Sequence, residues 1–191
     1  MIIESIITTL ARAGQPHIAP MGVTWRDGQP TLAPFRPSIT LDNLSDSGAA
    51  VINHTDDVRV FAGCLTGRRD WPLRPAEHIP GRVLADALAH QELVVQRVDD
   101  DATRPRFHCR VVHEAAHRPF RGFNRAQAAV IEAAILVSRL HLLPRDKIER
   151  EIAYLEVAIG KTAGEREREA WNWLIQHIAA FYRDATAGGP T

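Results

Sequence analysis

The sequence predicts an α+β protein: an antiparallel sheet or barrel over the first 120 residues, followed by helices. Up to about residue 120, short apolar segments alternate with turn-formers, the pattern of successive strands. Five prolines within the first forty residues (Pro16, Pro20, Pro30, Pro34, Pro37) oppose early helices. Beyond Asn124 the apolar residues recur at helical spacing instead. Strands first and helices afterwards argue against a doubly wound parallel fold.

In order along the chain, Ile2–Leu10, Ile18–Trp25, Thr31–Phe35 and Ala49–His54 read as strands, and Asp27-Gly28 as a hairpin turn. Asp57–Cys64 reads as one short helix, because an aspartate leads into Val58, Val60 and Phe61. Gly81–Val98 and Arg106–Glu114 read as two longer strands, although Leu84–Leu93 also suits a helix. Asn124 is the N-cap expected for a helix reaching about Leu143, which Pro144 closes. Asp146–Ile159 follows with Ile148, Ile152, Leu155 and Ile159 on one stripe. Gly164 opens a third helix, where Trp171, Leu174, Ile175 and Ile178 share a face. The expected division is therefore residues 1–120, a sheet or barrel, residues 121–186, a three-helix appendage packed on it, and residues 187–191, a frayed tail.

Composition narrows the function. Lys+Arg and Asp+Glu each number 23, which gives no basic excess and argues against a general nucleic-acid binder. The longest apolar stretch, Ala126 to Leu143, is interrupted by Gln127, Glu132, Ser138, Arg139 and His141, so no membrane span is expected. Glu4 breaks the apolar N-terminal run, and no positive charge precedes it, unlike a signal peptide. Cys64 and Cys109 are far apart and form no CxxC or disulfide framework. These features together predict a soluble cytoplasmic protein.

Two motifs look like chemistry and fail on context. His113-Glu-Ala-Ala-His117 has the HExxH spacing of a zinc hydrolase, but that spacing chelates one ion only on a helix. The approach Phe107–Val112 alternates like a strand and Pro119 disfavours helix at Arg118, so the segment reads as a strand end with solvated polar residues and no metal is expected. Gly160-Lys161-Thr162 resembles the end of a phosphate loop, yet Leu155 stands where the first glycine belongs, and the triplet follows a helix; Gly160 reads as a helix end. His78, His90, His141 and His177 show no ligand spacing.

The chemically dense stretch lies between His17 and Asp57. Arg36, Ser38, Thr40 and Asn43 offer a guanidinium fork, two hydroxyls and an amide within eight residues, a donor set suited to a phosphate. The competing reading is a polar loop whose Ser, Thr and Asn make turns. Met21-Gly22-Val23 is an extended apolar run whose glycine would let a flat ring approach the backbone.

The run HIAPMGV (17–23), the RPSxTxxNL segment (36–44) and NHTDD (53–57) resemble a family of FMN-binding split-barrel proteins from methanogens and from methylotrophs that use tetrahydromethanopterin. Gly122-Phe-Asn-Arg-Ala126, Val130-Ile-Glu-Ala133 and Lys161-Thr-Ala-Gly164 extend the likeness into the C-terminal half. The resemblance implies a split β-barrel related to flavin reductases and pyridoxamine-phosphate oxidases, a homodimer, and FMN at the subunit interface. It implies that Arg36, Ser38, Thr40 and Asn43 hold the phosphate and ribityl chain and that Met21, Gly22 and Val23 line the ring. Asn53, Thr55 and Asp56 would sit near the ring edge, with Asn124 and Arg125 completing the pocket at a helix N-terminus. The expected function is an FMN-dependent oxidoreductase on a small molecule, linked to pterin-dependent one-carbon metabolism. A non-catalytic flavin carrier, sensor or assembly protein is the alternative, and a zinc hydrolase through His113 and His117 the third. No side chain stands out as a catalytic acid, base or nucleophile.

Overall fold

The computed structural model describes residues 1–187; the part of the expected tail from Gly188 onward lies outside them. The described residues form two compact units: Met1–Asp56 with Asp70–Phe120, and Asp57–Arg69 with the chain from Arg121 onward.

The first unit is a closed antiparallel barrel. Its strands are β1 (Ile2–Leu10), β2 (Pro16–Arg26), β3 (Gln29–Leu32), β4 (Ala49–His54), β7 (Ala89–Asp99) and β8 (Arg106–Ala116), in the cyclic order β1-β2-β3-β8-β7-β4. A small hairpin of β5 (Leu73–Pro75) and β6 (Arg82–Leu84) stands apart from that ring. β1 and β2 are joined through Gly14 in the left-handed region, and β2 and β3 through Asp27 and Gly28, both at positive φ as an Asp-Gly hairpin turn requires. The shortest ladder of the ring joins β3 to β8, through Thr31 opposite His108 and Leu32 opposite Phe107. Ile7, Val23, Leu32, Leu41, Leu44, Ala50, Ile52, Leu93, Phe107 and Cys109 fill the interior.

β1 is buried on both faces from Ser5 to Thr9, which explains a run of Ile and Thr without apolar–polar alternation. On the face away from the core, Thr8 Oγ1 donates to the Arg82 carbonyl, tying β1 to β6. Asn53 is fully buried there. Its Nδ2 donates to Ile6 O (3.0 Å) and Thr8 Oγ1 (3.3 Å), and its Oδ1 accepts from Leu84 N (2.8 Å).

The structure corrects two expectations in this unit and removes one alternative. A helix α1 (Ile39–Ser47) exists despite the early prolines, because they precede it: Pro37 leads into Ser38, whose Oγ accepts from Leu41 N as N-cap, and Gly48 in the left-handed region closes it. The predicted strand Gly81–Val98 is two strands, β6 and β7, with a turn between. Helix is absent from Leu84–Leu93.

The second unit is four-helical. α3 (Arg125–Val137), α4 (Arg145–Thr162) and α5 (Glu165–Ala187) are the expected appendage, and α2 (Arg59–Leu65), from the middle of the chain, joins them. The expected 1–120/121–186 division thus differs by one inserted segment, because Val58 and Ala62 pack among Ala129, Val130, Ala133, Ile148, Trp171 and Leu174. Asp57 starts α2: its Oδ1 accepts from Arg59 N (3.1 Å), and its carboxylate pairs with the Arg59 guanidinium at 2.6 Å. α3 is shorter than expected and ends at Val137. α4 runs two residues past Gly160 and ends at Thr162, so Gly160 lies in its last turn.

Candidate functional site

The segment 33–43 is held against the loop between β7 and β8. Arg104 donates to Ala33 O (3.1 and 2.9 Å) and stacks over the Phe35 ring at 4.4 Å. Arg36 N donates to Thr103 O (2.8 Å), and its guanidinium pairs with Asp100 at 3.0 Å while remaining 48% exposed. Asp101 orders that loop by accepting from Thr103 N (2.8 Å) and Arg104 N (2.7 Å), bonds that hold its carboxyl below the usual range.

Of the four residues expected to hold a phosphate, only Arg36 presents its charge to solvent. Ser38 is committed to its capping bond. Thr40 and Asn43 are buried on α1, and Asn43 Nδ2 donates to Thr9 Oγ1 at 2.9 Å. The polar loop of the sequence reading is therefore a helix start whose hydroxyl and amide serve the fold. Among the ring-lining candidates, Val23 points into the barrel core and Met21 packs against it. Gly22 faces the other way, where a Cβ would meet Ile2 Cγ2 at 2.9 Å and Glu4 Oε1 at 3.1 Å; its lack of a side chain makes room for the neighbouring strand. Asn53 ties β1, β4 and β6 together, as above. Thr55 and Asp56 follow β4, half-buried, and Asp56 Oδ1 is a buried acceptor without a hydrogen bond. Trp25 Nε1, on β2, is a buried donor in the same condition, and the sequence reading passed over it.

Asn124 and Arg125 belong to the second unit. Asn124 is the N-cap of α3 as expected: its Oδ1 accepts from Ala126 N (2.8 Å) and its Nδ2 donates to Thr162 O (3.1 Å). Arg125 is exposed.

A second concentration of polar groups lies inside the first unit. His90 and Glu92, two apart on β7, point to the same face and are both fully buried. Glu92 accepts from three successive backbone N–H groups of the β5–β6 connection: Glu77 (2.6 Å), His78 (2.7 Å) and Ile79 (3.1 Å). Burial alone would raise its pKa, but these bonds outweigh burial and hold the carboxyl below the usual range. Burial, with the Arg74 charge adding to it, pushes the His90 pKa down against the pull of Glu92. His90 Nδ1 lies 2.9 Å from His117 Nε2, which also meets Arg74 Nη2 at 2.5 Å, while His90 Nε2 lies 3.3 Å from Glu92 Oε1. His113 stands opposite Glu92 on β8, its ring 4.4 Å from that of His78, and its Nε2 is buried without a hydrogen bond.

The HEAAH segment is thus strand, as its alternation indicated, which removes the helical zinc-hydrolase geometry. Glu114 and His117 are exposed, as that reading expected, whereas His113 is partly buried. The register shifts between Glu92 opposite His113 and Leu93 opposite Val111, which leaves Val112 as an extra residue and turns His113 toward Glu92.

The six-stranded antiparallel barrel is a split barrel, the fold of the solved proteins it resembles. Within that class the chain belongs to the DUF447 family, proteins of unknown function: residues 3–118 match the family's N-terminal domain model and residues 124–176 its second model. The chain is similar over 92% of its length to 94% of an FMN-bound DUF447 protein from Methanosarcina mazei, at 20% identity and a TM-score of 0.82. It is also similar to a 2-nitrobenzoate 2-nitroreductase from Pseudomonas fluorescens (19% identity, TM-score 0.52, 60% of this chain and 64% of that one). A third likeness is to the flavin reductase component of a bacterial two-component tryptophan halogenase (15%, 0.52, 62% and 82%). These last two reach less than two thirds of the chain and share the barrel type. No helix among the described residues is long and apolar enough to cross a membrane.

Proposed function

We propose that the protein binds FMN through its barrel unit and is an FMN-dependent oxidoreductase of a small molecule. The observation behind this reading is membership of a family with an FMN-bound member of matching fold and length. The residues present fit the cofactor in part. Arg36 offers a half-exposed cation for the phosphate, although it shares that charge with Asp100. Asp56 Oδ1 is a buried acceptor and Trp25 Nε1 a buried donor, each without a partner, and a flavin ring edge carries complementary N–H and C=O groups. Ser38 Oγ, Asn43 Nδ2 and the Asn53 amide each make hydrogen bonds within the fold, and in this reading they position the segments around the cofactor.

Bound flavin supplies the redox chemistry; the protein's part is to hold, orient and shield it. Completion of the pocket by a second copy of the chain belongs to the same proposal. Phe35 and Ile39, which flank Arg36 and Ser38, are 59% and 55% exposed, and an interface there would bury them. The link to pterin-dependent one-carbon chemistry and a cytoplasmic location also belong to it, resting on the family resemblance and on composition.

The test is the absorbance spectrum of purified protein after incubation with FMN and desalting, with the mass in solution measured by light scattering. Retained flavin near one per chain on a dimer supports the reading; a colourless protein overturns it. Flavin that stays bound but is reduced by neither NADH nor NADPH would favour the carrier, sensor or assembly alternative.

A further inference from the structure

We propose that His90, Glu92 and His113 form a binding site for one divalent transition-metal ion of the zinc class, inside the barrel unit and independent of the flavin reading. One ligand atom from each of the three lies within 4.8 Å of the other two, with His90 and Glu92 fully buried and His113 partly so. Two imidazoles and a carboxylate are a donor set that zinc and its neighbours accept, with a fourth position left open for water or substrate.

Proton placement along the chain of histidines points to a cation. Arg74 is a donor only, so His117 Nε2, which meets Arg74 Nη2, must be an acceptor. His90 Nδ1 faces that same nitrogen at 2.9 Å and must therefore carry a proton. A neutral His90 ring then presents a lone pair at Nε2, and that lone pair faces the Glu92 carboxylate. Two lone pairs in a dry interior repel unless something positive lies between them, either a proton that makes His90 an imidazolium or a metal ion. The 3.3 Å separation of His90 Nε2 and Glu92 Oε1 is long for a charge-assisted N–H···O bond, which runs about 2.7–2.9 Å. It matches two ligand atoms each ~2.0–2.1 Å from one tetrahedral ion, which lie about 3.3–3.4 Å apart.

The third ligand is independently suggestive. His113 Nε2 is buried without a hydrogen bond, and the nearest carboxylate of an ion-pair partner, Glu77 Oε2, is 3.7 Å away. The surroundings match those of metal-held groups elsewhere. His117 fixes the His90 tautomer from behind, and three backbone N–H groups fix the Glu92 carboxylate.

The experiment strips the full-length protein with EDTA, desalts it, titrates it with zinc chloride by calorimetry and measures retained metal by mass spectrometry. The wild type is expected to retain about one zinc per chain after a second desalting and to melt at a higher temperature with zinc than without. His113→Gln keeps the size and polarity of a partly exposed side chain and is expected to weaken binding at least roughly tenfold, the lower bound typical of damage around a metal site. His141→Gln, at an exposed histidine outside the cluster, is expected to bind as wild type. A wild type that retains no zinc overturns the proposal and assigns the cluster as an imidazolium–carboxylate pair. Binding that is equal in His113→Gln also overturns it, because the metal would then sit on surface histidines. If His113→Gln does not fold, cobalt(II) decides the matter: visible d–d bands from a nitrogen–oxygen tetrahedral site support the proposal, and an aqueous spectrum refutes it.

Discussion

Replacing Asn53 with alanine separates a fold-tying role from a cofactor role at that position. The side chain is fully buried and makes hydrogen bonds with Ile6 O, Thr8 Oγ1 and Leu84 N, so it links three strands. Truncation leaves the Leu84 N–H buried without an acceptor, at a cost of about 1–3 kcal/mol, and removes the net gain of the other two bonds, about 0.5 kcal/mol each. The expected loss is about 2–4 kcal/mol, or a fall in Tm of order 10 °C for a chain of this size. Urea denaturation of flavin-free wild type and Asn53→Ala, followed by circular dichroism at matched m-values, measures it. A difference below about 0.5 kcal/mol, the level of an ordinary surface change, would refute the argument that this amide serves the barrel.

Arg36→Ala should weaken FMN retention roughly tenfold or more, as loss of a charged hydrogen bond does, yet leave the Tm nearly unchanged because the Arg36–Asp100 pair is exposed; parallel flavin titration and melting read both. Burial would raise the Asp57 pKa, but its hydrogen bonds and charge pairing with Arg59 outweigh burial and lower it. A carboxyl depressed on folding adds stability above its unfolded pKa and loses it as pH falls through the lower folded value. Melting curves from pH 6 downward should therefore drop more steeply for wild type than for Asp57→Asn. Burial pushes the Cys64 thiol up to about 11, despite Arg69, and the Cys109 thiol up to about 12. Ellman's reagent at pH 8 should find almost no thiol in the native protein and both after denaturation; fast native labelling would contradict the burial.

The barrel was legible wherever strand identity follows from local composition. β1, β4 and the Asp-Gly hairpin stand near their expected bounds, because Ile, Val and Thr favour the pleated surface and the turn needs positive φ. Proline opposes a helix in its interior, and Pro37 precedes α1, so the early prolines say nothing against it; Ser38, Asp42 and Gly48 are its start and stop signals. The site was less legible. Short polar side chains look alike whether they await a ligand or cap their own backbone, and Ser38 and Asn43 do the latter. The His90–Glu92–His113 cluster arises from cross-strand register and an extra residue at Val112, which no local periodicity encodes. The one available signal was His90-x-Glu92 at strand period beside His113-x-x-x-His117 on a second strand.

The helical unit is assembled from two separate stretches of chain, and this has a consequence in time. α2 is synthesised about sixty residues before α3, its first partner, begins. At ordinary elongation rates of roughly 5–20 residues per second, Val58 and Ala62 wait several seconds for the helices they pack among. The strands that flank α2 can pair during that interval, before the C-terminal helices that pack with α2 have been made. A fragment cut between the two family models, near residue 120, would be arrested in that state. Expression of the barrel alone should therefore yield a sticky intermediate, whereas the full chain buries the same helix.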